Sequence, residues 1–289
     1  MKLSVSTGCA APLPLALSLP RFAEAGFQGV ELVLDPRSML GAAQAVRRQV
    51  QRSGLRLFSV HPPFIKAGRW RNEGVVAPQQ VELAAELGAA LTLVHPPGTA
   101  DWEDQETLHY LRGLDAAQER GQQLGVRLAM ETAGRRWHGD HRRLLLHPAE
   151  LKAWTEQRGL GLVLDVAHVG TLDPTLEAAR PLLAADLAGV HLSDVSRPHE
   201  EWRRGLWGRF GSTHQMPGEG MLPLTTFLGD LAASGFAGYM TLEVSPLHLA
   251  VWDARAMVRR LRQAVEFVRC AWRASATARE EVSGCSVGS

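Results

Sequence analysis

The sequence predicts an α/β protein built as a closed (β/α)8 barrel, with one domain over residues 1–273 and an unstructured tail over 274–289. Three observations lead there. Eight short runs rich in Val, Leu and Ile recur along the chain, amphipathic segments separate them, and 289 residues suit one barrel of about 250 residues with a short extension. Parallel strands joined by right-handed crossovers close at eight, so a barrel is the simplest arrangement that buries every run.

The strands follow in order: KLSVS (2–6), GVELVL (29–34), LRLFSV (55–60), LTLVH (91–95), VRLAME (126–131), GLVLD (161–165), AGVHLS (188–193) and YMTLEV (239–244). Each is entered from a glycine or a polar turn, as buried parallel strands are. Helical periodicity marks 44–51, 79–87, 106–124, 149–157, 224–233 and 254–273. Gly54, Gly88, Gly125, Gly159 and Gly235 stand just past helical segments, at the place of a C-terminal cap. An open doubly wound sheet is the rival fold. It favours a glycine-rich phosphate loop after the first strand, and STGCAAPLP has no GxGxxG. From Ala274 the chain loses apolar periodicity, which reads as disorder.

Composition narrows the function classes. With 45% hydrophobic and 21% charged residues the chain can bury a core, and disordered or collagen-like classes drop out. A formal charge of +1 means that any polyanion must be met by a local basic surface. Cys9, Cys270 and Cys285 are widely spaced, which fits a reducing, cytoplasmic setting and excludes a cysteine-based zinc knuckle. Lys2 and the apolar residues up to Leu19 look like the start of a secretory signal. Pro12 and Pro14 interrupt that run, and FAEAGFQGVEL continues it as helix and strand. No segment approaches the roughly 18 apolar residues of a membrane span.

In such barrels reacting groups stand at the C-terminal strand ends. Here strand three is followed by His61, strand four ends in His95, strand five in Glu131 and strand six in Asp165, with His168 close behind. Strand seven carries His191, a later loop His214 and strand eight Glu243. A single strand-end histidine is more often a hydrogen-bonded structural residue than a ligand. Repetition at successive strands instead points to divalent cations, because imidazole and carboxylate suit zinc or manganese. His109, His138, His141, His147, His199 and His248 fall outside the set, as surface or loop residues.

The segments SVHPPF, LVHPPG, METAG, LDVAH, VHLSD, HQMPGEG and TLEVS, spread over residues 29–245, resemble the xylose-isomerase-like TIM barrel superfamily that includes endonuclease IV and the sugar isomerases and epimerases. The isomerase branch implies one manganese or related ion on Glu131, Asp165, His191 and Glu243, with Glu131 and Glu243 also moving protons. It implies sugar contacts from His168 and Arg197. Trp137 stands where that branch has a helper glutamate. The endonuclease branch implies two or three zinc ions: one on His61, His95 and Glu131, one shared by Glu131, Asp165, His191 and Glu243, and a third on His168 and His214. There Ser212 replaces an aspartate ligand two residues before His214.

Loops add substrate candidates. Arg135, Trp137, Arg197, Arg203 and Arg204 lie in segments that combine Arg with Trp or Phe, suited to gripping phosphate and stacking on rings or simply to solvation. The resemblance also puts Arg37, Phe64 and Ile65 where the endonuclease enters DNA. Because a sugar epimerase needs none of His61, His95 and His214, the residues put a phosphodiester hydrolase first. Its substrate would be abasic DNA or a small phosphodiester such as a corrinoid nucleotide loop. A metal-dependent sugar or sugar-phosphate isomerase or epimerase is the alternative, and a non-catalytic binding protein the third reading.

Overall fold

The computed structural model describes residues 1–35, 43–64, 68–135, 142–183, 187–197 and 211–284. Eight parallel strands close into a barrel in sequence order: β1 (Lys2–Ser6), β2 (Gly29–Val33), β3 (Arg56–His61), β4 (Leu91–Val94), β5 (Arg127–Glu131), β6 (Gly161–Asp165), β7 (Leu187–Leu192) and β8 (Tyr239–Leu242), which pairs back onto β1. The α-helices among the described residues are α1 (Leu15–Ala25), α2 (Ala43–Arg52), α3 (Glu73–Leu87), α4 (Gln105–Leu124), α5 (Pro148–Arg158), α6 (Val166–Gly170), α7 (Arg180–Leu183), α8 (Leu224–Ala233), α9 (Pro246–Leu249) and α10 (Ala254–Gly284). None of these helices is long and apolar enough to cross a membrane.

The strands fall within a residue or two of the expected runs. β4 and β8 stop at Val94 and Leu242, so His95 and Glu243 are the first residues beyond their strands. Two helices differ more. α3 starts at Glu73 rather than Gln79, because Pro78 hides its first turns from a periodicity reading while costing the helix one ladder bond. α10 continues past Arg273 to Gly284 through the expected tail, over a stretch of Ala, Arg and Glu that favours helix; residues 285–289 lie outside the described set.

Inside the barrel, Leu91, Leu93, Ala129, Val163 and Ala188 pack with Tyr239, whose ring stacks on Phe58 at 4.7 Å between centroids. Lys2 and Arg56 lie over these two rings from below. This apolar floor fills the N-terminal end and leaves the C-terminal end for polar groups. Outside the barrel, α3 and α4 meet backbone to backbone: a Cβ on Gly74 would collide with the main chain of Tyr110, and one on Gly113 with the carbonyl of Gly74.

Asp194, just after β7, organises the segment that leads to α8. Its Oδ1 accepts from the backbone N–H of Val195 (2.8 Å) and Leu222 (3.0 Å), and its Oδ2 from those of Gly218 and Gly220 (3.0 Å each). Four charge-assisted bonds satisfy a fully buried carboxylate. Gly220 comes so close to Asp194 and to the Val195 carbonyl that no Cβ fits there.

Candidate metal centre

Period-two alternation turns Glu131, Asp165 and His191 into the barrel mouth, and the parallel register sets Asp165 directly beside His191. All eight ligand candidates come together there. Glu131, Asp165, His191 and Glu243 form one group whose ligand atoms lie within 4.8 Å of one another; His61, His95 and Glu131 form a second, and Asp165, His168 and His214 a third. Glu131 belongs to two groups and divides its oxygens between them. Its Oε2 is 3.2 Å from His61 Nε2 and 3.5 Å from His95 Nε2, whereas Oε1 is 3.3 Å from His168 Nδ1 and 3.5 Å from His191 Nδ1.

Acceptors behind the rings settle which nitrogen faces inward. His61 Nδ1 donates to the Pro62 carbonyl (2.6 Å), which leaves Nε2 toward Glu131. His214 Nδ1 lies 3.1 Å from the Glu243 carbonyl. His191 is turned the other way round: its Nε2–H donates to Glu31 Oε2 (3.1 Å), which also accepts from the Ser59 hydroxyl (2.8 Å), so Nδ1 faces Glu131 and Glu243. Glu31 escapes a sequence reading that looks only at strand ends. Its one signal is a lone acid within the apolar strand GVELV.

The central group has the character of a cation site. Asp165 Oδ2, His191 Nδ1 and Glu243 Oε2 are buried without hydrogen-bond partners. His191 Nδ1 and Glu243 Oε2 lie 2.6 Å apart yet lack the alignment of a hydrogen bond. Buried lone pairs are normally satisfied. Three of them facing one another, with Glu131, make a set of three carboxylates and one imidazole that fits a divalent ion such as Mn2+ or Zn2+.

Electrostatics agree. Burial opposes ionisation of Glu131, but His191 and His95 beside it hold its carboxyl well below the usual range. Glu243, also buried, is drawn down to about 2 chiefly by the charge of His191 close beside it. Burial pushes Asp165 up, with Glu131 and Glu243 adding to the push and His168 opposing it. Burial works against protonation of the rings and loses. Glu131 brings His61 to about 9, Asp165 and Glu131 bring His168 to about 9, and Glu31 and Glu243 hold His191 well above the usual imidazole value. Positive charge is therefore strongly favoured in this cluster, whether carried by protons or by a cation.

Among the described residues, three further sequence candidates, Phe64, Arg135 and Arg197, follow β3, β5 and β7. Phe64 is half exposed, sits edge-on to His61 at 5.1 Å and covers Gly8 so closely that a Cβ there would strike its ring. Arg135 follows β5 and its backbone N–H donates to Thr171 Oγ1 (2.8 Å); Arg197 follows β7 and is exposed. Ser212 is buried, and its carbonyl accepts from the Ser196 N–H at 2.9 Å. Arg37, Ile65, Trp137, Arg203 and Arg204 lie outside the described residues.

Known proteins share this framework. An uncharacterized protein of Mycobacterium leprae is 26% identical over 93% of this chain and 97% of its own length. The 3-dehydroshikimate dehydratase of Pseudomonas aeruginosa is 28% identical over 78% of this chain, which spans 35% of that longer enzyme. The crystal structure of D-psicose 3-epimerase from Clostridium cellulolyticum H10 superimposes with a TM-score of 0.70 at 14% identity, covering 94% of this chain and 99% of the epimerase. With residues 19–267 matched by its family model, the chain belongs to the xylose isomerase-like TIM barrel family.

Proposed function

We propose that the chain is a metal-dependent enzyme that moves a proton on the carbon beside a carbonyl of a small polyhydroxylated substrate, as sugar isomerases and epimerases do. The observation that carries this reading is the buried group Glu131, Asp165, His191 and Glu243, in which atoms suited to one cation stand between two glutamates from β5 and from just past β8. A divalent ion held by these four residues would polarise the substrate carbonyl and acidify the neighbouring C–H. Glu131 and Glu243 do the proton work. Both are held in the ionised form, so one can take the proton from carbon; the same or the opposite glutamate returns one, to the neighbouring carbon for isomerisation or to the other face for epimerisation. His61 and His95 hold Oε2 of Glu131, and Glu31 orients His191.

The residues alone put phosphodiester hydrolysis first, and the relatives reverse that order. An epimerase and a dehydratase acting on a keto acid are both expected to work by removing a proton beside a carbonyl, and neither hydrolyses a phosphoester. Hydrolysis of a small phosphodiester or abasic DNA stays as the second reading on one observation, the groups His61–His95–Glu131 and Asp165–His168–His214 flanking the central one. Against it, Ser212 gives the third group no carboxylate.

The test is solvent exchange. Protein supplied with Mn2+, Mg2+ or Zn2+ is incubated in D2O with a panel of ketopentoses, ketohexoses and their phosphates, and deuterium next to the carbonyl is followed by NMR. Exchange and sugar interconversion are expected, with loss of at least a hundredfold in Glu131→Gln. Cleavage of bis(p-nitrophenyl) phosphate or abasic duplex, without exchange in any sugar, would overturn the proposal in favour of hydrolysis.

A further inference from the structure

His95 is held from behind at three points by two helices. Its backbone N–H donates to Glu73 Oε2 (2.8 Å), its ring Nδ1–H points to both oxygens of the same carboxylate (3.0 and 3.1 Å), and its carbonyl accepts from the Tyr110 hydroxyl (2.6 Å). Glu73 is the first residue of α3 and is buried; Tyr110 is buried on α4. Burial pushes the Tyr110 phenol well up, so it remains a donor. These two side chains share one small volume because α3 and α4 cross at Gly74 and Gly113, the residue after Glu73 and the third after Tyr110.

A ring whose Nδ1 carries the proton presents Nε2 on its far side, and that atom faces Glu131 Oε2. We propose that Glu73 is a positioning residue of the site, acting through His95 to fix the orientation of Glu131, with Tyr110 and the glycine crossing of α3 and α4 as its support. A helix N-terminus suits a buried carboxylate electrostatically, but a helix needs no acid there aimed inward at a strand-end histidine. The inference rests on the reading of Glu131 as the residue that binds the ion and moves the proton.

The first test needs no variant. Imidazole 15N shifts of His95, read across a pH titration of the full-length protein, are expected to show Nδ1 protonated in the neutral ring; a neutral ring protonated on Nε2 would overturn the proposal. The second test is Mn2+ titration by calorimetry into chelator-treated protein. Glu73→Ala is expected to lose the fixed tautomer and weaken Mn2+ binding by about tenfold or more. Glu73→Gln keeps one acceptor oxygen and should fall between. If Glu73→Ala does not fold, Glu73→Gln carries the test, and Tyr110→Phe supplies a milder loosening of the same clamp. Unchanged tautomer and Mn2+ affinity in a folded Glu73 variant would show a merely structural carboxylate. Absence of sugar turnover in the wild type, with these shifts intact, would remove the isomerase reading and leave the positioning role standing.

Discussion

Glu31→Gln isolates the charge behind His191. Glu31 Oε2 accepts from both Ser59 and His191, while Oε1 is buried without a partner. A glutamine whose oxygen takes the place of Oε2 keeps both bonds and puts its amide where Oε1 was, so shape and bonding change little and the charge disappears. Two effects then oppose each other. His191 loses the charge that contributes most to raising its pKa against burial, so protons compete less for it. The same charge attracts a divalent ion about twice as strongly as a proton at the same place, so the loss of ion binding exceeds the relief. Outer-shell changes of this kind cost about 10–100-fold in affinity, or about 1.4–2.7 kcal/mol. The assay is Mn2+ and Zn2+ titration of chelator-treated protein between pH 6 and 8, with thermal unfolding as a control. The pH-dependent rise in affinity should also begin at lower pH in the variant. Affinity within twofold of wild type, with an unshifted pH profile, would refute the argument that Glu31 acts on the ion through His191.

Three further outcomes are expected. His61→Ala and His95→Ala should each keep one ion at the central group but bind it about tenfold or more weakly, because Glu131 Oε2 loses one of its two holders; native mass spectrometry at saturating metal that finds an ion missing would show that the flanking group also binds metal. Chelator-treated protein should be most stable between about pH 4.5 and 6.5. Glu243, lowered from 4.5 to about 2, contributes stability that is present above its unfolded value and lost as pH falls toward 2; His61 and His168, raised from 6.5 to about 9, contribute stability that is lost as pH rises through 9. Asp165, raised by its burial, offsets part of the acid limb, and differential scanning fluorimetry across pH would reject the scheme by a monotonic profile. Ser212→Asp should add a weak second ion near Asp165, His168 and His214, and calorimetry with no additional binding would assign His214 to the substrate side.

Whereas His214 comes from a later loop, the strands and most of the eight ligand candidates are legible in the sequence because those residues stand at or just after a strand end, where the barrel opens. Glu31 and Glu73 are not. Glu31 sits within a strand, where period-two reasoning expects core, and its partners Ser59 and His191 come from two other strands, the neighbouring β3 and the distant β7. Glu73 lies at a helix start masked by Pro78, and its contact with His95 depends on how closely α3 meets α4. The reaction is equally illegible from composition, because the same imidazoles and carboxylates serve hydrolysis or proton transfer and the difference lies in how many ions they gather.

Asp194 makes one part of this barrel unsuited to piecemeal exchange. It follows His191 on one side and, through the Asp194–Gln215 bridge, lies beside the residue after His214 on the other. Three of its four bonds fasten the turn over 216–222 to the chain just past β7. A graft of that turn from a relative would carry the right shape only with its own acidic anchor and its close-approach glycine. Length changes between 216 and 222 would be transmitted to two members of the candidate metal centre at once. For anyone redesigning the mouth of this barrel, Asp194 and the turn over 216–222 are best exchanged together.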